Sequence, residues 1–283
     1  MKSPVIIIGM HRSGTSMLTL LLKELGLFVG KDLDPFDLHE SMFFITLNDW
    51  LLRQSNATWD NVYNYQFMDE FMIEKAIPII QGELAGKRRK KYLGSGKIKN
   101  ISNLNIPWGW KDPRTTITID FWKRIFPNAK LLHIYRNPID VAESRRKREL
   151  YVREHAKLKF WVKILKFLDY KAVQTLSPRM LHLEEGVKLW EDYVQKALSL
   201  TDTYGDDVMH IRYEDFLETP APILKKITDF IELSTEMPNI EKAVEHVDAS
   251  RKFAFLNNEE LITVYKKIQR HPLLQQLNYE QIV

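Results

Sequence analysis

Arg12, Ser13, Thr15 and Ser16 lie within one stretch, Val5–Leu18, that reads VIIIGMHRSGTSML. They offer a fixed guanidinium and hydroxyl donors, and Gly9 and Gly14 among them permit tight backbone turns. Where such a stretch joins a strand to a helix, the first N–H groups of the helix converge on one spot and its dipole favours negative charge there. The chemistry open to this group of donors is holding an anion. The usual phosphate loop places Lys directly before its Ser/Thr, whereas this chain has Gly14-Thr15-Ser16. No hydrophobic strand ending in an Asp suited to magnesium accompanies it either, so Mg²⁺-dependent phosphoryl transfer is disfavoured. Glycines between a strand and a helix also serve a turn and nothing more, but Arg12 with Thr15 and Ser16 favours the anion.

A second group stands in LLHIYRNPIDVAESRRK, where Arg136 closes an apolar run and Ser144 follows eight residues later. Ligands of open α/β sheets bind outside the carboxyl ends of the strands. This rule sets Arg136 at the same sheet edge as the glycine loop, where an arginine and a hydroxyl can hold a second phosphate by charge-assisted hydrogen bonds. The alternative is an arginine that merely caps the sheet.

The elements that must position these groups follow from the hydrophobic pattern. Val5–Ile8 is a continuous β-branched run, as a fully buried parallel strand requires, and Thr15–Leu25 has helical apolar spacing stopped by Gly26. Helices are expected from about Glu40 to Leu52, Met68 to Ala85 and Thr116 to Ile125, with one opening at Pro138 and a helical section from Tyr151 to Tyr204. Strands are expected at Trp108–Lys111, Ala129–Arg136 and Val208–Tyr213, and two closing helices near Ile223–Phe230 and Ile240–Val247. Alternating strands and helices predict a three-layer α/β/α fold with a mainly parallel central sheet. No boundary stands out, so the expectation is one domain over 1–283 with helical insertions near 31–107 and 151–183. The basic tract GKRRKKYLGSGKIKN (86–100) reads as a solvated loop.

Together the two anion motifs resemble the sulfotransferases that use 3′-phosphoadenosine 5′-phosphosulfate (PAPS). That resemblance implies a P-loop-like fold in which Arg12-Ser13-Gly14-Thr15, with Ser16, grips the 5′-phosphosulfate, and Arg136 with Ser144 grips the 3′-phosphate. It runs from about Val5 to Arg148 and more loosely to IRYEDF (Ile211–Phe216), where Glu214 and Asp215 read as structural caps. Within WGWKDPRTTI, Lys111-Asp112-Pro113 fills the place of a Lys-x-Pro turn found in carbohydrate-directed members. Lys111 is thereby implied to face the sulfuryl group or the acceptor; a surface turn is the alternative. Members of the carbohydrate and protein-tyrosine type use a glutamate base, and LHESMFF offers Glu40, with His39 as its substitute. A carboxylate favoured by the helix dipole would explain Glu40 as well. Arg251-Lys252 matches a basic pair at the 3′-phosphate of cytosolic members, though the glycines of that segment are missing.

Composition narrows the rest. With 41 basic against 37 acidic residues, the net charge of +4 is mild for a nucleic-acid binder. The absence of cysteine excludes disulfides, thiol nucleophiles and thiolate metal sites, and it fits a reducing compartment. The eight histidines show no metal-ligand spacing, so no metal is expected. No apolar run reaches the ~18 residues of a membrane span, and the first is too short for a signal segment. The sequence therefore predicts a cytoplasmic enzyme that moves a sulfuryl group from PAPS to a small-molecule, glycan or lipid acceptor. The rivals are a P-loop small-molecule kinase and a non-catalytic nucleotide-binding relative.

Overall fold

The computed structural model describes residues 2–34, 39–155 and 176–283. Sequence expectations for 35–38 and 156–175, which include most of the insertion near 151–183, lie outside the described residues. The chain forms two compact units, Met1–Asn137 with Asp192–Ala254, and Pro138–Glu191 with Phe255–Val283.

The first unit is built on a four-stranded, all-parallel sheet of β1 (Val5–Ile8), β2 (Gly109–Lys111), β3 (Lys130–Tyr135) and β4 (Val208–Arg212), in the order β2-β1-β3-β4. Every β1 residue is buried, which is why its sequence is apolar throughout rather than alternating. Ile6 and Ile8 face one hydrophobic core and Val5 and Ile7 face the other. The first core takes in α2 (Met42–Gln54), α3 (Glu70–Ala85), the short α4 (Arg89–Leu93) and α5 (Thr115–Ile125). The second takes in α1 (Thr15–Glu24) and the helices at Tyr213–Glu218, Pro220–Phe230 and Met237–Val244. This is the expected three-layer α/β arrangement.

The first core is aromatic. Phe44 stacks on Trp110 with centroids 4.0 Å apart, and Trp122 meets Trp110 at 5.0 Å. Tyr92, fully buried, reaches from the basic tract to donate to Gly109 O at 2.7 Å. The tract is therefore not all solvated loop: Arg89, Lys90 and Lys91 open a short helix whose Tyr92 and Leu93 are buried, with Tyr92 tied to the edge strand.

The second unit contains α6 (Pro138–His155) and the elements at Pro178–Leu181, Glu259–Ile268 and Pro272–Gln276, the last two unforeseen from the sequence. Buried Glu149 of α6 accepts from Ser177 N at 2.9 Å, and Asp140 accepts from Phe255 N at 2.9 Å. Much of the basic charge on α6 is balanced within the helix, where Glu143 meets Arg146 and Lys147, and Glu149 meets Arg145 and Arg153.

Candidate active site

Parallel strands bring the first three candidate segments together. Register pairs Ile7 with Lys111 and Ile8 with His133, so the segments after β1, β2 and β3 leave the sheet at one edge. The loop after β1 is fixed by its backbone. Gly9 has φ +139° and Gly14 φ +104°, values that side chains oppose. Space is also lacking, because a Cβ on Gly9 would lie 2.3 Å from Ile134 O and one on Gly14 2.5 Å from the Tyr213 ring.

Ser13 is fully buried, and its hydroxyl lies 2.7 Å from Met10 O and 2.9 Å from Ile134 O, sharing one proton between them. Its own N–H donates to Met10 O at 3.2 Å, so Ser13 shapes the loop and ties it to β3. Thr15 is buried at the first turn of α1, while Arg12 and Ser16 are half-buried. Arg12 adopts φ +76°, a left-handed conformation that costs a non-glycine residue about 1–3 kcal/mol. Gly9 N–H donates to Thr116 Oγ1 at 2.9 Å, which fastens the loop directly to the start of α5.

The segment after β2 is fixed by charge. Lys111 is 2% exposed and Glu40 5% exposed, and Lys111 Nζ donates to Glu40 Oε1 at 2.8 Å. Arg114 Nη1 stands 3.8 Å from Glu40 Oε2 and 2.9 Å from Asp112 Oδ1. Asp49 Oδ1 lies 2.7 Å from Arg114 Nε as an ion pair rather than an aligned hydrogen bond. Burial pushes Asp112 above the ordinary carboxylate range, and Arg114 opposes that shift. Arg114 itself is held well above its ordinary value: Asp112, Asp49 and Glu40 outweigh the cost of burial, which acts the other way. Asn48 organises the floor of the cluster, donating to Asp112 Oδ2 and Thr115 Oγ1 at 2.8 Å each and accepting from Thr118 and Trp122 at 2.7 Å each.

Helix α2 begins at Met42 with Ser41 as its N-cap, so Glu40 lies outside the helix where the sequence placed it inside. The N-terminal dipole therefore does not account for Glu40, and the pairing with Lys111 does. His39 is half-buried with φ +56°; the turn it makes sends Glu40 inward, and Asp34 accepts from Glu40 N at 3.0 Å. Asn48, Asp49 and Arg114 were missed as members of the cluster. Asn48 and Asp49 have one signal in the sequence, a polar pair inside the apolar MFFITLNDWLL, and Arg114 has its place directly after the Lys111-Asp112-Pro113 turn.

Arg136 follows β3, buried, with its guanidinium 4.8 Å from the Tyr213 ring centroid and Nη2 donating to Arg251 O at 2.7 Å. The Arg251 backbone thus meets Arg136, while the exposed Arg251 side chain faces Asp248 and Lys252 pairs with Glu218. Glu214, fully buried, accepts from Asn137 N at 3.0 Å and fixes the chain just past Arg136. Beside Tyr213 opens a cavity of about 1040 Å³, lined among others by Met17, Leu20, Asn239, His246 and Arg251. Ser144 is half-buried on α6, within the second unit. Among the described residues, no group of His, Cys, Asp and Glu could hold a metal ion, and no helix is long and apolar enough to cross a membrane.

The model of the sulfotransferase family matches residues 4–237. No curated protein matches the sequence. Among solved structures, the chain is similar to the sulfotransferase domain from the curacin biosynthetic pathway, at 17% identity and TM-score 0.48 over 99% of both chains. It is also similar to sulfotransferase STF9 from Mycobacterium avium, at 14% identity and TM-score 0.46 over 94% of this chain and 76% of that one. A third is retinol dehydratase, in complex with androsterone and inactive cofactor PAP, at 15% identity and TM-score 0.37 over 94% and 69%.

Proposed function

The chain belongs to the sulfotransferase family, and from that premise we propose that it transfers a sulfuryl group from PAPS to a hydroxyl or amine of an acceptor, releasing 3′-phosphoadenosine 5′-phosphate (PAP). The observation that carries this reading is the meeting, at one sheet edge, of a glycine loop shaped for an anion and the buried Lys111–Glu40 pair. The loop suits a phosphosulfate because Gly9 and Gly14 allow its left-handed turns and its tight packing against Ile134 O and the Tyr213 ring, where a Cβ has no room. We assign the nucleoside to the cavity beside Tyr213 and the 3′-phosphate to Arg136, with Arg251 and Lys252 in the adjoining segment; Ser144 is the partner that the resemblance gives Arg136 along the chain.

In this reaction Arg12 and the helix-opening N–H groups, with Thr15 and Ser16, neutralise the donor's 5′ end. Glu40 takes the proton from the acceptor, whose oxygen or nitrogen bonds to sulfur. The bond from sulfur to the bridging phosphate oxygen breaks, and its electron pair leaves on PAP. Before Glu40 accepts that proton, Lys111 releases the Glu40 carboxylate, turns to a sulfuryl oxygen and stabilises the charge that develops there. His39 serves as the turn that aims Glu40. The chemistry asks for no metal. A glutamate base beside a Lys-x-Pro turn leans toward a carbohydrate-like hydroxyl among small-molecule, glycan and lipid acceptors, and a cysteine-free chain suits the cytoplasm.

Incubation with ³⁵S-labelled PAPS and an extract of the source cells tests the reaction, with label expected in a discrete acceptor. Glu40→Gln is expected to lower the rate by about 10²–10⁴-fold while PAP affinity by calorimetry, without Mg²⁺, is kept. An unchanged rate would remove Glu40 from the mechanism, and Mg²⁺-dependent ATP binding in place of PAP binding would overturn the whole reading.

A further inference from the structure

Arg114 has no part in the transfer as proposed above, yet it is 5% exposed and stands between three carboxylates. Two of them hold it in place. Asp112 Oδ1 accepts from both its backbone N, at 3.1 Å, and its Nη1, at 2.9 Å. Asp49 Oδ1 lies 2.7 Å from Nε on the other side. Both anchors are rigid: Asp112 is fixed by Asn48, and Asp49 is the next residue along α2. The third carboxylate, Glu40, is 3.8 Å from Nη1, close enough for Coulomb attraction and too far for a hydrogen bond.

This asymmetry separates the two cations on Glu40. Lys111 makes the short contact through a flexible stem, so it can leave for another oxygen. Arg114, planar and clamped, cannot follow it. From this arrangement, and resting on the sulfuryl-transfer reading, we infer that Arg114 is a positioning residue. It keeps the Glu40 carboxylate in place while Lys111 turns to the transferring group, and it touches neither donor nor acceptor. The longer distance matters, because a direct hydrogen bond from Arg114 would compete with the proton that Glu40 has to take.

The test is a double-substitution cycle on the rate of ³⁵S transfer to acceptors of the cell extract at saturating PAPS. Arg114→Gln is expected to lower the rate about 10²-fold, as misplacement of a reacting group by an ångström does, with the KM for PAPS unchanged. Arg114→Lys should recover part of that loss. Asp49→Asn, which loosens the anchor and keeps the guanidinium, should cost about tenfold. In a Glu40→Gln background, Arg114→Gln should change the rate by less than about threefold, because residues acting as a unit are not additive. Circular dichroism and PAP calorimetry identify any variant that fails to fold, and the Lys and Asn variants then carry the test. Equal losses from Arg114→Gln with and without Glu40 would overturn the inference and leave the transfer reading standing. Absence of transfer by the unaltered protein would overturn both.

Discussion

Two turns leave neighbouring strands of one sheet and are joined by the Gly9–Thr116 hydrogen bond, yet they are stabilised by different means. The turn after β1 is held by backbone geometry: two left-handed glycines, a buried serine bonded to main-chain carbonyls, and no room for a Cβ. The turn after β2 is held by side-chain charge, with Lys111 and Arg114 set against Glu40, Asp49 and Asp112. A backbone cradle presents N–H groups to an anion and has nothing to titrate. A charge cluster can exchange partners, which a proton acceptor and a mobile cation require. The same sheet edge thus combines a half set by backbone geometry and a half set by side-chain charge.

Substitutions can break this contrast. The largest effect is expected at Gly9→Ala, whose Cβ meets the immovable Ile134 carbonyl at 2.3 Å. A loss of about 4 kcal/mol or more in urea unfolding should accompany loss of PAP binding. A variant that keeps both stability and binding would show that the cradle is not set by its backbone. Next comes Asn48→Ala in the other half. It strips partners from Asp112, Thr118 and Trp122, and should cost about 2–4 kcal/mol while PAP binding survives, since the glycine loop is untouched. Loss of PAP binding in a folded Asn48→Ala protein would merge the two halves into one.

The smallest effect sharpens the comparison by way of a polar pair without charge, one ring buried and the other half-buried. His133 on β3 and His210 on β4 face each other with Nδ1 atoms 2.8 Å apart, and His210 Nε2 is 2.7 Å from Thr201 Oγ1. Burial lowers both rings below the usual histidine range, and for His133 the neighbouring ring adds to the shift. The unfolded chain therefore binds more protons than the native one, so stability is full above about pH 6.5 and is lost as pH falls below it. Each ring contributes at most about 1.4 kcal/mol per pH unit in that window. Thermal unfolding followed from about pH 7.5 to about pH 5.5 should show this decline, reduced by one ring's share in His133→Leu. Identical slopes in the two proteins would exclude the pair as its source.

The fold was legible wherever local pattern and tertiary position agreed. The burial of β1 shows as an unbroken β-branched run, and the end of α1 shows at Gly26, which takes φ +102°. Disagreements fell where a side chain overrode local pattern. Glu40 read as helical until Ser41 proved to be the cap, and Tyr92 was hidden in a charge run although it is wholly buried. The short elements beyond Ala249 are too brief to show a period, whereas the helix at Glu259–Ile268 carries Leu261, Val264 and Tyr265 at helical spacing and was overlooked although its pattern is as clear as that of α1 or α5.

From the sequence alone came the parallel α/β plan, the glycine loop after β1, and the family that the motifs resemble. Each depends on spacing within a short segment, and spacing survives without coordinates. Tertiary structure decided which charges meet. Glu40, Asp49 and Arg114 come from segments separated by up to 74 positions, and only packing of α2 against β2 and α5 brings them within ion-pair distance. Coulomb attraction and burial act through space, so no local pattern could have announced that cluster.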